Sequence, residues 1–258
     1  MISGCFSNKK EDSGYDIVWK LKDIINEEII DADLTIDSPL ITDSATDNMV
    51  TISKSGYYKK VGVVPLVYGQ KNLIGYLTKE SSTIKYSISG KISDENGGAL
   101  SNAGVVVFGN FIPKRVYTDL NGIFKIDYVP EGEIKLYVYK NDYTYTIGEF
   151  NLTSNLSNVQ YNIDTSSGSK YGDVYGTIKG YNSEICGNSY VSFGVIGSGV
   201  YQYGYSDSQG GYYLYGIPYG TITMNVKSPG FYKINSSDLL VNSVSKNSNI
   251  SMTIISGE

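Results

Sequence analysis

The sequence predicts an all-β protein of small tandem sandwiches, each with about seven short strands. Three observations predict it. The stretch DLNGIFKIDYVPEG, Asp119–Gly132, returns 88 residues later as DSQGGYYLYGIPYG, Asp207–Gly220. Apolar and polar residues alternate with period two through both copies, the mark of strands with one buried face. The 258 residues include 25 Tyr and 29 Gly; tyrosine favours strands and glycine permits the positive φ of tight turns.

Each clear copy opens with a strand. Ile88, Gly90 and Ile92 fall on one side of ISGKISD, as Val174, Gly176 and Ile178 do in VYGTIKG. A turn follows, then NAGVVVFG against NSYVSFGV, then further strands at KRVYTD and YGYSD. Asn121-Gly122 and Gln209-Gly210 supply hairpin turns, since Asn and Gly accept left-handed angles. Phe124 and Ile126, like Tyr212 and Leu214, then alternate inward. Pro130 and Pro218 close those strands because proline donates no ladder hydrogen bond. Ile134, Leu136 and Val138 in the return strand match Ile222, Met224 and Val226. Last strands are expected near GEFNLT, NVQYNID, SSDLLVN and NISMTII.

A weaker pass precedes these two. Ile17, Trp19 and Leu21 take the inward places of a first strand, EEIIDADLTI resembles GALSNAGVVV, and MVTISKSGYYKK resembles KLYVYKNDYTYT. The spacing from Asp43 to Gly56 is shorter than that from Asp119 to Asp142, so this copy lacks about one strand or its turn. Ile17, Leu21, Ile24 and Ile25 also suit an amphipathic helix; the strand is the favoured reading. The expected organisation is a spacer at 1–15, a degenerate domain at 16–84, and full domains at 85–168 and 169–258, arranged as a semi-rigid rod.

The run ISGKISDENGGALSNAGVVV, followed by TDLNGIFKIDYVPEGEIKLYV, resembles the carboxypeptidase regulatory-like domain. The resemblance covers Lys85 to the C-terminus as two domains and extends more loosely to the first 84 residues. It implies a transthyretin-like Greek-key β-sandwich and no activity of its own, since such domains serve as accessory modules.

The composition narrows the function classes. The chain has no histidine, which removes Ser-His-Asp and Cys-His catalysis, imidazole metal sites and a histidine switch. A net charge of −5 without a basic tract argues against nucleic acid. Cys5 and Cys186 make neither a disulfide framework nor a zinc site. No cofactor or metal is expected. No apolar run reaches the length of a membrane span. ISGC, Ile2–Cys5, resembles the end of a bacterial lipoprotein signal, in which the cysteine carries lipid, although no apolar segment precedes it. A lipid on Cys5 would be the chain's membrane link, and FSNKKEDSG its polar spacer.

The candidate sites are few. Asp119 and Asp207 open DLNG and DSQG, but strand residues follow where a calcium loop needs further oxygen ligands, so both are read as turn carboxylates. Alternation puts Tyr201, Tyr203 and Tyr205 on one face, with Tyr213 and Tyr215 in the next hairpin. An exposed row of such rings could stack on sugars, although tyrosine also pairs across strands for structural reasons. Lys20, Lys91 and Lys179 alternate with the buried set and should point outward, away from any intramolecular isopeptide. The expected role is therefore non-catalytic: a monomeric, extracytoplasmic spacer, adhesion or binding module whose partner is a glycan or a surface protein. A carbohydrate-binding module and an accessory subunit of an extracellular enzyme are the alternatives.

Overall fold

The computed structural model describes residues 18–36, 46–66, 72–140, 147–163, 170–195, 201–232 and 234–253. Cys5 and the predicted spacer lie outside the described residues. Among the described residues, regular structure is β apart from a single 3-10 turn at Tyr181–Ser183. The strands fall into three groups in chain order, consistent with tandem sandwich-like units.

The first group holds β1 (Val18–Asp23), β2 (Asp33–Ile36), β3 (Thr46–Ser53), β4 (Lys60–Leu66) and β5 (Asn72–Leu77). The second holds β6 (Lys85–Asp94), β7 (Gly104–Gly109), β8 (Phe111–Tyr117), β9 (Ile123–Pro130), β10 (Gly132–Tyr139), β11 (Ile147–Leu152) and β12 (Leu156–Ile163). The third holds β13 (Tyr171–Lys179), β14 (Tyr190–Val195), β15 (Tyr201–Tyr205), β16 (Gly211–Pro218), β17 (Gly220–Lys227), β18 (Asn235–Val241), β19 (Ser245–Asn247) and β20 (Ile250–Ser251).

In the second unit a sheet ordered β11-β10-β7-β8 faces one ordered β12-β6-β9. Ile88, Ile92, Phe124 and Ile126 from one sheet meet Val105, Val107, Ile134 and Leu136 from the other in a shared core. The third unit repeats this plan, with β15-β14-β17-β18 over β16-β13-β19 and β20 also paired to β13. Its core gathers Val174, Ile178, Tyr212 and Leu214 with Val191, Phe193, Ile222 and Met224.

The repeat extends to single contacts. Gly90 pairs with Phe124 across β6 and β9, and Gly176 with Tyr212 across β13 and β16. A Cβ on either glycine would stand 1.9 Å from the Val159 carbonyl oxygen or 2.1 Å from that of Ser248. Neither position therefore tolerates a side chain without moving the parallel neighbour strand. Phe124 and Tyr212 are both buried beside these glycines.

The hairpin turns also match. Asp119 Oδ1 accepts hydrogen bonds from the amides of Asn121 and Ile123, both at 2.8 Å. Asp207 Oδ1 does the same for Gln209 and Gly211, again at 2.8 Å. Each carboxylate thus saturates turn amides that would otherwise lack partners. Lys20, Lys91 and Lys179 are exposed.

The first unit is smaller. Val18–Asp23 is a strand, not a helix, and pairs in parallel with β5 as β6 does with β12. β2, β3 and β4 form the second sheet. Among the described residues no strand lies between β2 and β3, whereas β8 and β9 lie between β7 and β10. The first unit's described strands thus hold no counterpart of β8 or β9. The unit's core of Leu21, Val50, Ile52, Leu73 and Leu77 is completed by Phe231 of the third unit.

That contact corrects the expected rod. The third unit packs back on the first as well as on the second. The amides of Tyr76 and Gly230 each donate to the other's carbonyl at 2.8 Å. Thr78 Oγ1 donates to the Asn188 carbonyl at 2.6 Å, and Lys227 Nζ reaches Glu27 Oε1 at 2.6 Å.

Candidate functional site

The aromatic residues singled out by sequence lie on β15 and β16, beside the second unit. On β16 the inward parity belongs to Tyr212 and Leu214, so Tyr213 and Tyr215 point to the outer face of the sandwich. Tyr213 lies opposite Tyr175 of β13. Their rings stack at 5.9 Å with an interplanar angle of 15°, and Tyr213 stacks on Tyr215 at 6.0 Å and 14°. Cross-strand and same-face neighbours on a pleated sheet bring rings together in this way.

The stack continues into the second unit through Arg115 of β8. Its guanidinium lies 4.4 Å from the Tyr215 ring centroid and 5.0 Å from that of Tyr117. Arg115 Nη1 also donates to Asp173 Oδ2 at 2.5 Å and to the Tyr139 hydroxyl at 2.7 Å. Asp173 Oδ1 accepts from the Gly216 amide at 3.0 Å. Burial pulls against the charge on Arg115, but the bonds to Tyr139 and Asp173 outweigh it and hold the guanidinium above the usual arginine value. Burial and the Asp173 charge push the Tyr139 phenol up, against the opposing pull of Arg115. The cation is therefore fixed, and it joins β8 to β13 and β16.

Tyr203 and Tyr205 do not form the exposed row that stacking on a sugar would need. Tyr203 is half-buried, with its ring edge-on to Phe108 of the second unit at 5.3 Å and 89°. Tyr205 is only 3% exposed and clusters with Ile24, Tyr76 and Tyr190. These two rings fill the junctions between units, one facing the second and the other the first. The Tyr201 side chain lies outside the described residues. Gln202, between Tyr201 and Tyr203 in sequence, is buried and bonds both backbone groups of Tyr215, accepting from N–H at 2.9 Å and donating to C=O at 3.1 Å.

Of the predicted residues, then, Tyr213 is 46% exposed and Tyr215 half-buried. Because the rings of Tyr175, Tyr213 and Tyr215 face one another, the row turns edges outward more than faces. Sequence reasoning gave Arg115 and Tyr117 no role and did not single out Tyr175. The signal for Arg115 and Tyr117 was there: they occupy the β8 places that match the β15 tyrosines.

A second polar cluster joins the first and third units. Glu184 accepts from Lys60 Nζ at 2.5 Å and from the Tyr232 hydroxyl. Cys186 is buried nearby, and burial pushes its thiol up, so it stays protonated at neutral pH and is a poor nucleophile. Among the described residues, no group of three or more His, Cys, Asp or Glu is placed to hold a metal ion. No described helix is long and apolar enough to cross a membrane.

No family model matches the chain, and no curated protein matches it. Among solved structures it is similar to the Bacillus anthracis TIE protein, at 15% identity and a TM-score of 0.30 over 81% of this chain and 41% of that one. A streptococcal ancillary pilin shares 12% identity at a TM-score of 0.28, over 81% of this chain and 76% of that one. The shaft pilin SpaA from Lactobacillus rhamnosus GG shares 10% at 0.31, over 67% of this chain and 99% of that one. The chain spans less than half the length of the first of these.

Proposed function

We propose that the chain is a non-catalytic, extracytoplasmic adhesion or binding module whose three β units act as one rigid body. In this reading the units are transthyretin-like Greek-key sandwiches at 16–84, 85–168 and 169–258, after a spacer at 1–15 with Cys5 as its lipid site. The observation that carries the proposal is the use of the most strongly interacting side chains. Arg115, Asp173 and Tyr139 are spent on clamping one unit to the next, and Glu184 and Lys60 on clamping another. Groups committed in this way hold a scaffold and are not free to move protons. The test is fractionation of cells that make the chain with its native upstream sequence. Recovery in the envelope or medium is expected; recovery only in the cytosol would contradict the proposal.

A glycan reading of the tyrosine row has one observation in its favour, the outer-face position of Tyr213 beside Tyr175 and Tyr215. It predicts a glycan-array signal that Tyr213→Ala abolishes. Absence of signal from the parent chain would end it.

A further inference from the structure

The second and third units share a backbone kink near the ends of β9 and β16. Gly216 has φ +63°, and its counterpart 88 residues earlier is Tyr128, with φ +60°. Glycine takes that conformation freely, whereas a bulky residue is strained there. The third unit needs glycine for a second reason, since a Cβ would stand 2.3 Å from Tyr139 Cδ1. The second unit places a tyrosine there that is 72% exposed. So little burial does not offset the strain, and packing does not account for the residue. Strain of this kind at an exposed side chain points to use.

Tyr128 borders a cleft of about 320 Å³ where the three units meet. Tyr58 of the first unit, Thr83 of the connection, Lys85 and Lys114 of the second unit and Tyr205 of the third also line it. The chain is net negative, yet this cleft carries two lysines. Among the described residues, the ion pairs leave both without a carboxylate partner. Lys114 Nζ is held by the backbone carbonyls of Asp127 and Tyr128, at 3.1 and 2.5 Å, and lies 6.0 Å from the Tyr128 ring centroid. Burial, then the Lys85 charge, pull Lys114 below its usual value. The Asp127 charge acts the other way, and a bound anion would add to it against the Lys85 repulsion. The Tyr205 hydroxyl is buried without a hydrogen-bond partner among the described residues.

We propose that this cleft binds a carboxylated sugar residue, with Lys85 and Lys114 taking the carboxylate and Tyr128 stacking on the sugar ring. The hydroxyl-rich lining suits a polyhydroxylated ligand, and the volume is at the small end of ligand sites, ~300–1,000 Å³. The inference is independent of the Tyr213 row, since neither Tyr213 nor Tyr215 lines this cleft.

The test is titration of the full chain with D-glucuronic acid and N-acetylneuraminic acid by calorimetry and amide chemical shifts, with D-glucose as neutral control. One acid is expected to bind at least tenfold tighter than glucose. Lys114→Gln and Tyr128→Gly should each weaken it at least tenfold. Tyr128→Gly should also keep or raise the melting temperature, because it removes the strain, so its loss of binding cannot come from loss of folding. Three outcomes would overturn the proposal: no binding of either acid, glucose binding as tightly, or affinity unchanged in both variants. Tighter binding of an N-acetylated peptide with a free C-terminal carboxylate than of either sugar acid would overturn the sugar assignment.

Discussion

Phe231, which follows β17 in the third unit, lies against Gly75 of β5 in the first. A Cβ on Gly75 would stand 2.8 Å from Phe231 Cε1 and 2.9 Å from Leu21 Cδ2. The ring is 2% exposed and belongs to the first unit's core. A reduced unit thus buries its apolar surface with a side chain borrowed from 156 residues downstream of Gly75. Small domains bury too little of their own surface to be stable alone, and the borrowed ring addresses that deficit.

Gly75→Ala should therefore overpack the junction. The expected cost is ~1–3 kcal/mol, read as a lower urea midpoint at unchanged slope. No loss of stability would mean that the ring and β5 separate in solution.

The Arg115 clamp predicts a second cost. Arg115→Met keeps the stem but leaves Asp173 with the Gly216 amide alone and takes the donor from the Tyr139 hydroxyl. The guanidinium is about one-fifth exposed, so solvent screens part of the effect. A loss of ~1–3 kcal/mol is expected, with partial recovery in Arg115→Met/Asp173→Asn. Equal losses in the single and double variants would mean that the pair is not coupled.

Much of this architecture was legible in the sequence. Phe124 and Tyr212, Pro130 and Pro218, and Gly90 and Gly176 each disclosed the same place in a repeated sandwich, because inward alternation and turn chemistry are local. The contacts between units were not local. Alternation says that Tyr203 leaves its own core, but it cannot say that Phe108 waits on the other side. One signal did exist. Val105, Val106, Val107 and Phe108 form an apolar run with no alternation, and all four are buried. In an antiparallel strand that pattern means both faces are covered. Phe231 gave no such signal, since a single aromatic in a turn reads the same whether it caps its own unit or enters another.

The turn carboxylates predict a matched pair of effects. Asp119→Ala and Asp207→Ala each free two backbone amides and should each cost ~1–2 kcal/mol. Melting temperature should not respond to calcium in the parent or in either variant. A rise of many degrees at micromolar calcium would restore the metal-loop reading.

Buried phenols set the alkaline limit. Burial pushes Tyr161, Tyr171 and Tyr212 up to about 12, from an ordinary value of 10.0. In that window the unfolded chain has lost protons that the folded chain keeps, so stability falls as pH rises. It should be flat below pH 10 and decline progressively toward pH 12. The 295 nm titration should show an early group of exposed tyrosines and a late group that ionises with unfolding. A single unperturbed titration at constant stability would contradict the buried positions.

The central claim is that the third unit supplies part of the first unit's core. Amide hydrogen exchange on the full chain, parent against Phe231→Ala, tests it most directly. The account predicts that Ile52, Leu73 and Leu77 lose protection by ~100-fold or more, in line with ~3–5 kcal/mol for removing a buried phenylalanine. Unchanged protection at those three amides would contradict it.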